Sequence, residues 1–121
     1  MLTSLNESDL KKVGVAGEVA DQVVRLALLS REAGMDGVVA APNEVGEIRA
    51  ACGRGFVIVT PGIRLPKTKR DDQKRVMTPA DAVRAGVDYI VVVRPIMEAG
   101  DPVKVARDII LEMEQSAARV F

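Results

Sequence analysis

The sequence predicts an α/β fold in which about four parallel strands alternate with helices on one outer face. Four short runs of apolar, largely β-branched residues are separated by segments with helical spacing and helix-start signals. Strands and helices that alternate in this way form parallel sheets, and ligands gather at the carboxyl ends of such strands. The 121 residues are about half of the roughly 250 that a complete eight-stranded barrel needs. We therefore expect a single half-barrel domain over residues 1–121.

The first quarter of the chain contains a short strand and two helices. The strand is expected at residues 2–5, and either Asn6 or Ser8 is expected to cap a short helix over residues 7–13. Apolar residues that recur every three or four positions predict a longer helix over residues 18–33. Its buried face is expected to carry Val19, Val23, Leu26 and Ala27.

Two further units of strand and helix follow. Residues 37–40 read as a strand, and the helix that starts near Pro42 ends before Gly53. Its inward residues are expected to be Val45, Ile48 and Ala51. Residues 56–60 form the next predicted strand, and Pro61 and Gly62 close it with a turn.

The last predicted helices begin with clear capping signals. Thr78 is the expected N-cap of a helix that stops at Gly86, and a buried strand over residues 89–93 follows. Asp101 is the expected N-cap of a final helix over residues 102–120. The inner stripe of that helix is predicted to be Val103, Ala106, Ile110, Met113 and Ala117.

Composition excludes several classes of function. Lys plus Arg and Asp plus Glu both number 17, so no net field attracts nucleic acid or an acidic membrane. The chain has no His, no membrane-length apolar run and no signal peptide, so we expect a cytoplasmic protein without a metal or cofactor. The single Cys52 cannot form an internal disulfide, and packing is its expected role.

One segment is strongly cationic. Six Lys or Arg residues stand against two Asp residues over residues 64–76, directly after a predicted strand. Arg94 follows the next strand and is therefore expected at the same edge of the sheet. A guanidinium there can hold two phosphate oxygens, so an anion is the expected ligand, although a solvated strand end is the alternative reading for Arg94.

The same segments resemble the C-terminal part of orotidine 5'-monophosphate decarboxylase, with a likeness that runs over essentially the whole chain. The matching motifs are Pro61-Gly62-Ile63-Arg64, Asp72-Gln73, Thr78-Pro79, Ala85-Gly86-Val87-Asp88-Tyr89 and Arg94-Pro95. The resemblance implies half of a (β/α)8 TIM-type barrel. It also implies a lyase that takes orotidine monophosphate to uridine monophosphate and carbon dioxide.

The resemblance assigns substrate-binding roles to five positions. It implies that Arg94 grips the substrate phosphate with help from Gln73 and Arg64, and that Thr3, beside Ser4, meets the pyrimidine. Thr3 is equally compatible with the turn at a strand end. Val93 departs from the family, which usually has Gly there, and this weakens the expected backbone contact to phosphate.

No catalytic residue is assigned. The family uses an Asp-x-Lys-x-x-Asp array that includes the proton-donating Lys, and this sequence lacks that spacing. Asp9 and Lys11 open it, but Gly14 stands where the second Asp belongs. We therefore expect the isolated chain to be inactive.

Three functions remain open from the sequence. The first is the phosphate- and pyrimidine-nucleotide-binding half of the decarboxylase, and the second is a self-associating half-barrel with a remnant phosphate site. The third is an unrelated phosphate-binding protein. Expected partners are a nucleotide monophosphate or phosphate, and either a second copy or an N-terminal half, because open parallel edges need cover.

Overall fold

The computed structural model describes residues 6–65 and 77–120, apart from the side chain of Val120. Its strands form one parallel sheet in the order β1-β2-β3. They are β1 (Gly37–Val39), β2 (Val57–Thr60) and β3 (Tyr89–Ile90). The parallel α/β fold is thus confirmed, while the first predicted strand, residues 2–5, lies outside the described residues.

Six α-helices occur in the described part of the chain. They are α1 (Glu7–Lys12), α2 (Val19–Glu32), α3 (Val45–Cys52), α4 (Pro79–Ala85), α5 (Arg94–Met97) and α6 (Pro102–Val120). A 3-10 turn, Pro42–Glu44, leads into α3. Five of the helices agree with the predicted positions, whereas α5 was not predicted.

Capping side chains fix where three of these helices begin. Asn6, Thr78 and Asp101 each accept a hydrogen bond from the backbone N–H three residues ahead, at 3.0, 3.1 and 2.9 Å. Such bonds satisfy amides that have no partner inside the helix. Gly86, with φ of 92°, ends α4 in the left-handed conformation that glycine tolerates best.

The hydrophobic core lies between one face of the sheet and helices α2 and α3. Its buried members are Val23, Ala27, Ala40, Val45, Ile48, Cys52, Phe56 and Ile58. Cys52 is 7% exposed and has the packing role expected for it. The opposite face of the sheet is open, since Val39 and Tyr89 are 52% and 63% exposed.

Strands β1 and β2 approach so closely that only glycine fits at one position. Gly37 pairs with Val57 in the parallel register. A Cβ atom on Gly37 would lie 2.1 Å from the carbonyl oxygen of Val57 and 2.6 Å from its Cβ. Since the carbonyl belongs to the backbone, a side chain here has to push the strands apart.

The prediction of which residues are buried is partly wrong for two helices, α2 and α6. Leu26 of α2 is 40% exposed, and in α6 the predicted inner residues Val103 and Ile110 are 60% and 54% exposed. The buried residues of α6 are instead Ile109 and Ser116. Helix α6 is thus rotated about its axis relative to the prediction, because it packs against α4. At that contact the Glu112 carboxylate accepts a hydrogen bond from the Ala80 backbone N–H at 3.1 Å.

The last strand is shorter and more exposed than predicted. A buried strand over residues 89–93 was expected, but β3 ends at Ile90 and Val91 and Val93 are 44% and 58% exposed. The backbone still follows β2 for one more residue, because Val91 N donates to Thr60 O at 2.9 Å. The exposed side chains alternate with half-buried ones, so they project from the open face of the sheet.

Arg49 of α3 ties together the segments that precede β2 and β3. Its Nη1 donates to the carbonyl oxygens of Gly53, Arg54 and Phe56, at 2.9, 3.2 and 2.7 Å. Its Nη2 donates to the carbonyl oxygen of Gly86 at 2.6 Å. These contacts lie at the amino ends of the strands, away from the edge where parallel sheets bind ligands.

In residues 6–65 and 77–120, no helix combines the length and the apolar character that crossing a membrane demands.

Candidate functional site at the carboxyl edge of the sheet

Two arginines follow neighbouring strands at matching positions. Thr60 of β2 and Ile90 of β3 are partners in the parallel register. Arg64 and Arg94 each come four residues after these partners, and both are exposed. The register therefore brings both arginines to the carboxyl edge of adjacent strands, where the sequence predicted an anion site.

Arg94 is the first residue of the short helix α5 rather than the residue after a long strand. Val93 is the N-cap of this helix, and its carbonyl oxygen accepts from the backbone N–H groups of Ile96 and Met97 at 3.1 and 2.9 Å. The sequence signal that was missed is Pro95, because proline favours the first turn of a helix. The turn holds the backbone of Arg94 in a defined conformation beside the sheet.

Val93, at the position where the resemblance implies Gly, adopts a backbone conformation open to any residue. Its φ of −118° lies outside the region that favours glycine. Its side chain is 58% exposed, so it is not packed into the helix-facing core. The valine therefore adds bulk at the residue just before Arg94 without straining the chain.

Arg64 lies where the chain leaves β2. The neighbouring Ile63 is buried, at 3% exposure, and anchors this segment. Arg64 N donates to Met77 O at 3.2 Å, which joins the two ends of the segment that separates β2 from α4. The backbone around Arg64 is therefore held on both sides.

Asp81 stabilises the start of α4 at the same edge. Burial pushes the pKa of its carboxyl up, but hydrogen bonds from Arg84 and Thr78 outweigh this effect and lower the pKa below its usual value. The carboxylate accepts from Thr78 N at 3.2 Å and also pairs with Arg84. The ionised form of Asp81 is thus favoured in the folded chain.

Several predicted features lie outside the described residues. Thr3, Ser4 and Gln73 belong to this group, as do the remaining cationic residues of 66–76. Asp36, by contrast, is described: it precedes β1, and its backbone carbonyl oxygen accepts from Val57 N at 2.9 Å. It therefore lies at the opposite end of the strands from the arginines.

Two polar side chains near the carboxyl edge are buried, and no pattern in the sequence predicted their burial. Glu44 is 6% exposed, and its Oε2 accepts from the backbone N–H of Ala41 at 3.1 Å, just after β1. The Thr60 hydroxyl is fully buried and has no hydrogen-bond partner among the described residues. Both follow from the tertiary burial of the strand ends, which the sequence does not reveal.

Within residues 6–65 and 77–120, no group of three or more His, Cys, Asp or Glu side chains is placed to hold a metal ion.

Sequence comparison finds close relatives among bacterial decarboxylases. The sequence model of the orotidine 5'-phosphate decarboxylase / HUMPS family matches residues 1–109. The chain is 56% identical over 112 residues to orotidine 5'-phosphate decarboxylase of Pelobacter propionicus, covering 93% of this chain and 46% of that protein. It is 57% identical over 113 residues to the enzyme of Geotalea uraniireducens, with 93% and 47% covered.

Solved structures agree with this relationship. Orotidine 5'-phosphate decarboxylase from Lactobacillus acidophilus superposes with a TM-score of 0.80 at 34% identity, and covers 93% of this chain and 46% of that one. An uncharacterised conserved protein from Geobacillus kaustophilus gives 0.77 at 31% identity with the same coverage. The chain thus spans about half the length of the curated relatives it matches. It belongs to the orotidine 5'-phosphate decarboxylase / HUMPS family.

Proposed function

We propose that this chain is the phosphate- and pyrimidine-nucleotide-binding half of an orotidine 5'-phosphate decarboxylase. The full reaction takes orotidine monophosphate to uridine monophosphate and carbon dioxide in pyrimidine biosynthesis, and we propose that it proceeds in the cytoplasm. The observation that carries the proposal is the matched position of Arg64 and Arg94 after the paired residues Thr60 and Ile90.

The chemistry of the two arginines supports a phosphate ligand. A guanidinium presents planar, permanently charged donors that match two phosphate oxygens. Both residues are exposed, so a ligand can reach them without displacing core side chains. In the proposed site Arg94 grips the phosphate, Arg64 and the amide of Gln73 assist, and Thr3 meets the pyrimidine.

Val93 makes the proposed site weaker than one with glycine. Its exposed side chain stands next to Arg94, where the family's glycine leaves the backbone N–H open to phosphate. We therefore propose micromolar or weaker binding of uridine monophosphate rather than tight binding. Phosphate and sulfate are expected to occupy the same site.

The proposed half is incomplete for catalysis. Binding energy at the phosphate accelerates the reaction only when the reacting centre is also built. The sequence has no Asp-x-Lys-x-x-Asp segment, so the carbanion left by departing carbon dioxide has no assigned proton donor. In this proposal an N-terminal half supplies the missing groups.

A second candidate, a self-associating half-barrel, is favoured by the open face of the sheet. Val39, Tyr89, Val91 and Val93 expose between 44% and 63% of their surface on or beside the strands. Contiguous exposed apolar surface of this kind marks an interaction site. In this alternative, two copies cover each other's open faces and the phosphate site is a remnant.

The test of the proposed site is isothermal titration of the purified chain with uridine monophosphate. Weak binding is expected for the wild type and none for Arg94→Ala. Arg54→Ala is the matched control, because Arg54 is also exposed but precedes β2 at the other end of the strands. Binding that survives Arg94→Ala, or that Arg54→Ala removes equally, would mean that the site lies elsewhere.

A further inference from the structure

The first turn of α4 is bound by a carboxylate from a distant part of the chain. The Oε1 atom of Glu112, near the middle of α6, accepts from the backbone N–H of Ala80 at 3.1 Å. Ala80 is the second residue of α4, and an N–H in the first turn of a helix has no acceptor inside that helix. Glu112 therefore satisfies an amide that α4 cannot satisfy by itself.

The other amides of this turn also have partners within the fold. Asp81 N donates to Thr78 Oγ1 at 3.1 Å, and Ala82 N donates to Thr78 O at 3.0 Å. The first residue, Pro79, has no N–H to donate. A phosphate is therefore not expected to bind the amides of this turn, and the contact made by Glu112 fixes the position of α4.

The residue just before this capped turn holds the backbone of Arg64. Met77 immediately precedes the N-cap Thr78, and its carbonyl oxygen accepts from Arg64 N at 3.2 Å. Only the short stretch 77–80 separates this hydrogen bond from the one that Glu112 makes. A displacement of the turn therefore moves Met77 and weakens the hydrogen bond that holds Arg64.

Helix α6 also supports the other arginine of the proposed site. It packs against both α4 and α5, and Arg94 is the first residue of α5. The backbone of Arg94 is thus supported by direct packing on α6. The backbone of Arg64 is supported by the same helix through Glu112 and the first turn of α4.

We propose that Glu112 is a positioning residue for the phosphate site. By holding the first turn of α4, it keeps Arg64 close enough to Arg94 for both to bind one phosphate group. This inference rests on the phosphate-binding function proposed above, and it adds a residue that acts without contacting the ligand.

The effect of positioning is opposite in sign to the effect of charge alone. A carboxylate near an anion site repels the anion, so loss of the Glu112 charge by itself strengthens binding. Loss of the hydrogen bond to Ala80, in contrast, releases Arg64 and weakens binding. Substitutions that remove the charge with or without the acceptor oxygen therefore distinguish the two effects.

Titration with uridine monophosphate compares two variants of Glu112. Glu112→Gln removes the charge but keeps an oxygen that can accept from Ala80 N, so its dissociation constant is expected to equal or fall below the wild-type value. Glu112→Ala removes the acceptor as well, and is expected to raise the dissociation constant about fivefold, as the loss of one hydrogen bond predicts. Glu114→Ala removes an exposed acid from the same helix and is expected not to raise it.

Ile109→Val is the control for a general weakening of α6. Ile109 is 5% exposed, so its shortening loosens the packing of the helix while the acceptor of Ala80 is retained. The dissociation constant for uridine monophosphate is expected to match that of the wild type. If Ile109→Val weakens binding as much as Glu112→Ala does, loss of packing explains the effect and the positioning role is wrong.

Hydrogen exchange measured by nuclear magnetic resonance tests the positioning without a ligand. In Glu112→Ala, the amides of Ala80 and Arg64 are both expected to exchange about tenfold faster than in the wild type, because local opening becomes easier. The amide of Val91 donates to Thr60 O at 2.9 Å on the same edge of the sheet, but this contact does not involve α4. Its exchange rate is expected to stay unchanged.

The outcomes separate the positioning role from the function on which it rests. A wild-type chain that binds no uridine monophosphate overturns the proposed phosphate site, and exchange at Arg64 then decides the positioning role alone. A wild-type exchange rate at Arg64 in Glu112→Ala overturns the positioning role, whether or not the ligand binds. Binding by Glu112→Ala that is as tight as binding by Glu112→Gln also overturns it, because Glu112 then acts by charge alone.

Discussion

Arg49 and Asp88, which are 39 residues apart in sequence, form an ion pair in which Nη2 lies 2.6 Å from Oδ2. The same carboxylate oxygen accepts a hydrogen bond from Ile58 N at 2.8 Å. The guanidinium side chain is only 16% exposed. The pair therefore connects helix α3, strand β2 and the start of β3 at the amino edge of the sheet, opposite the proposed phosphate site.

Replacing Arg49 with leucine is expected to destabilise the chain by about 3 kcal/mol. The substitution removes the arginine donor from several backbone carbonyls and takes the ion-pair partner from Asp88, which among the described residues keeps only its hydrogen bond from Ile58 N. Each buried acceptor that loses its donor costs about 1–3 kcal/mol. Urea unfolding followed by circular dichroism measures the effect. Arg54→Leu, at a nearby exposed residue, should change the free energy of unfolding by less than about 0.5 kcal/mol; equal losses would contradict a specific role for Arg49.

Alanine substitutions at two glycines should have opposite effects. Gly37→Ala is expected to cost about 3 kcal/mol, because its Cβ collides with the backbone of Val57. Gly46→Ala, in the first turn of α3 with open space around it, should stabilise by up to about 1 kcal/mol, since alanine favours helix. Thermal unfolding compares the two, and a Gly37→Ala protein as stable as the wild type would mean that β1 and β2 are not paired in this register.

The contribution of Asp81 to stability should depend on pH. Its pKa is lowered in the folded chain, so the ionised carboxylate stabilises the fold above its unfolded pKa, and this contribution disappears as the pH falls through the folded pKa. Asp81→Ala is therefore expected to destabilise by up to about 1 kcal/mol at pH 7, because it removes the capping-box contact to Thr78 N and the acid in the first turn of α4. The difference from wild type should shrink steadily below about pH 4.

The control for this pH dependence is Asp21→Ala. Asp21 is also the third residue of its helix, but the residue that precedes α2 makes no side-chain capping hydrogen bond. Any general effect of an acid in the first turn is common to both variants. If Asp21→Ala shows the same loss at pH 7 and the same pH profile, the capping contacts of Asp81 are not the cause.

Purified wild-type chain is expected to convert no measurable orotidine monophosphate, even as a dimer. Two copies duplicate the arginines of the proposed site without adding the Lys and Asp groups that the chemistry needs. Addition of an N-terminal half with the Asp-x-Lys-x-x-Asp array is expected to restore some decarboxylation, measured by the change in ultraviolet absorbance. Turnover by the wild-type chain alone that is lost in Arg94→Ala would show that the proton donor lies within these residues.

Val93→Gly should tighten the binding of uridine monophosphate. The change removes an exposed side chain beside Arg94 and opens the backbone N–H to phosphate, which is expected to lower the dissociation constant several-fold. Val91→Gly is the matched control, because Val91 is similarly exposed but two residues farther from the arginine. An unchanged dissociation constant in Val93→Gly would show that the valine side chain does not limit the affinity.

Local signals in the sequence were enough to locate most of the secondary structure. Capping residues such as Thr78 and Asp101 act on backbone groups three residues away, so their roles follow from spacing alone. The stop at Gly86 follows equally from the left-handed conformation that glycine tolerates. The motifs around Arg64 and Arg94 likewise identify the family without reference to any contact between strands.

Only the tertiary structure decided which apolar residues are covered. Spacing shows that α6 has an apolar stripe, but its contact with α4 determines that Ile109 is buried and Ile110 is exposed. The short β3 and the exposed Val93 depend in the same way on the open face of the sheet. The contacts of Arg49 with Gly86 and Asp88 join residues far apart in sequence, and only the folded backbone brings those partners within hydrogen-bond distance.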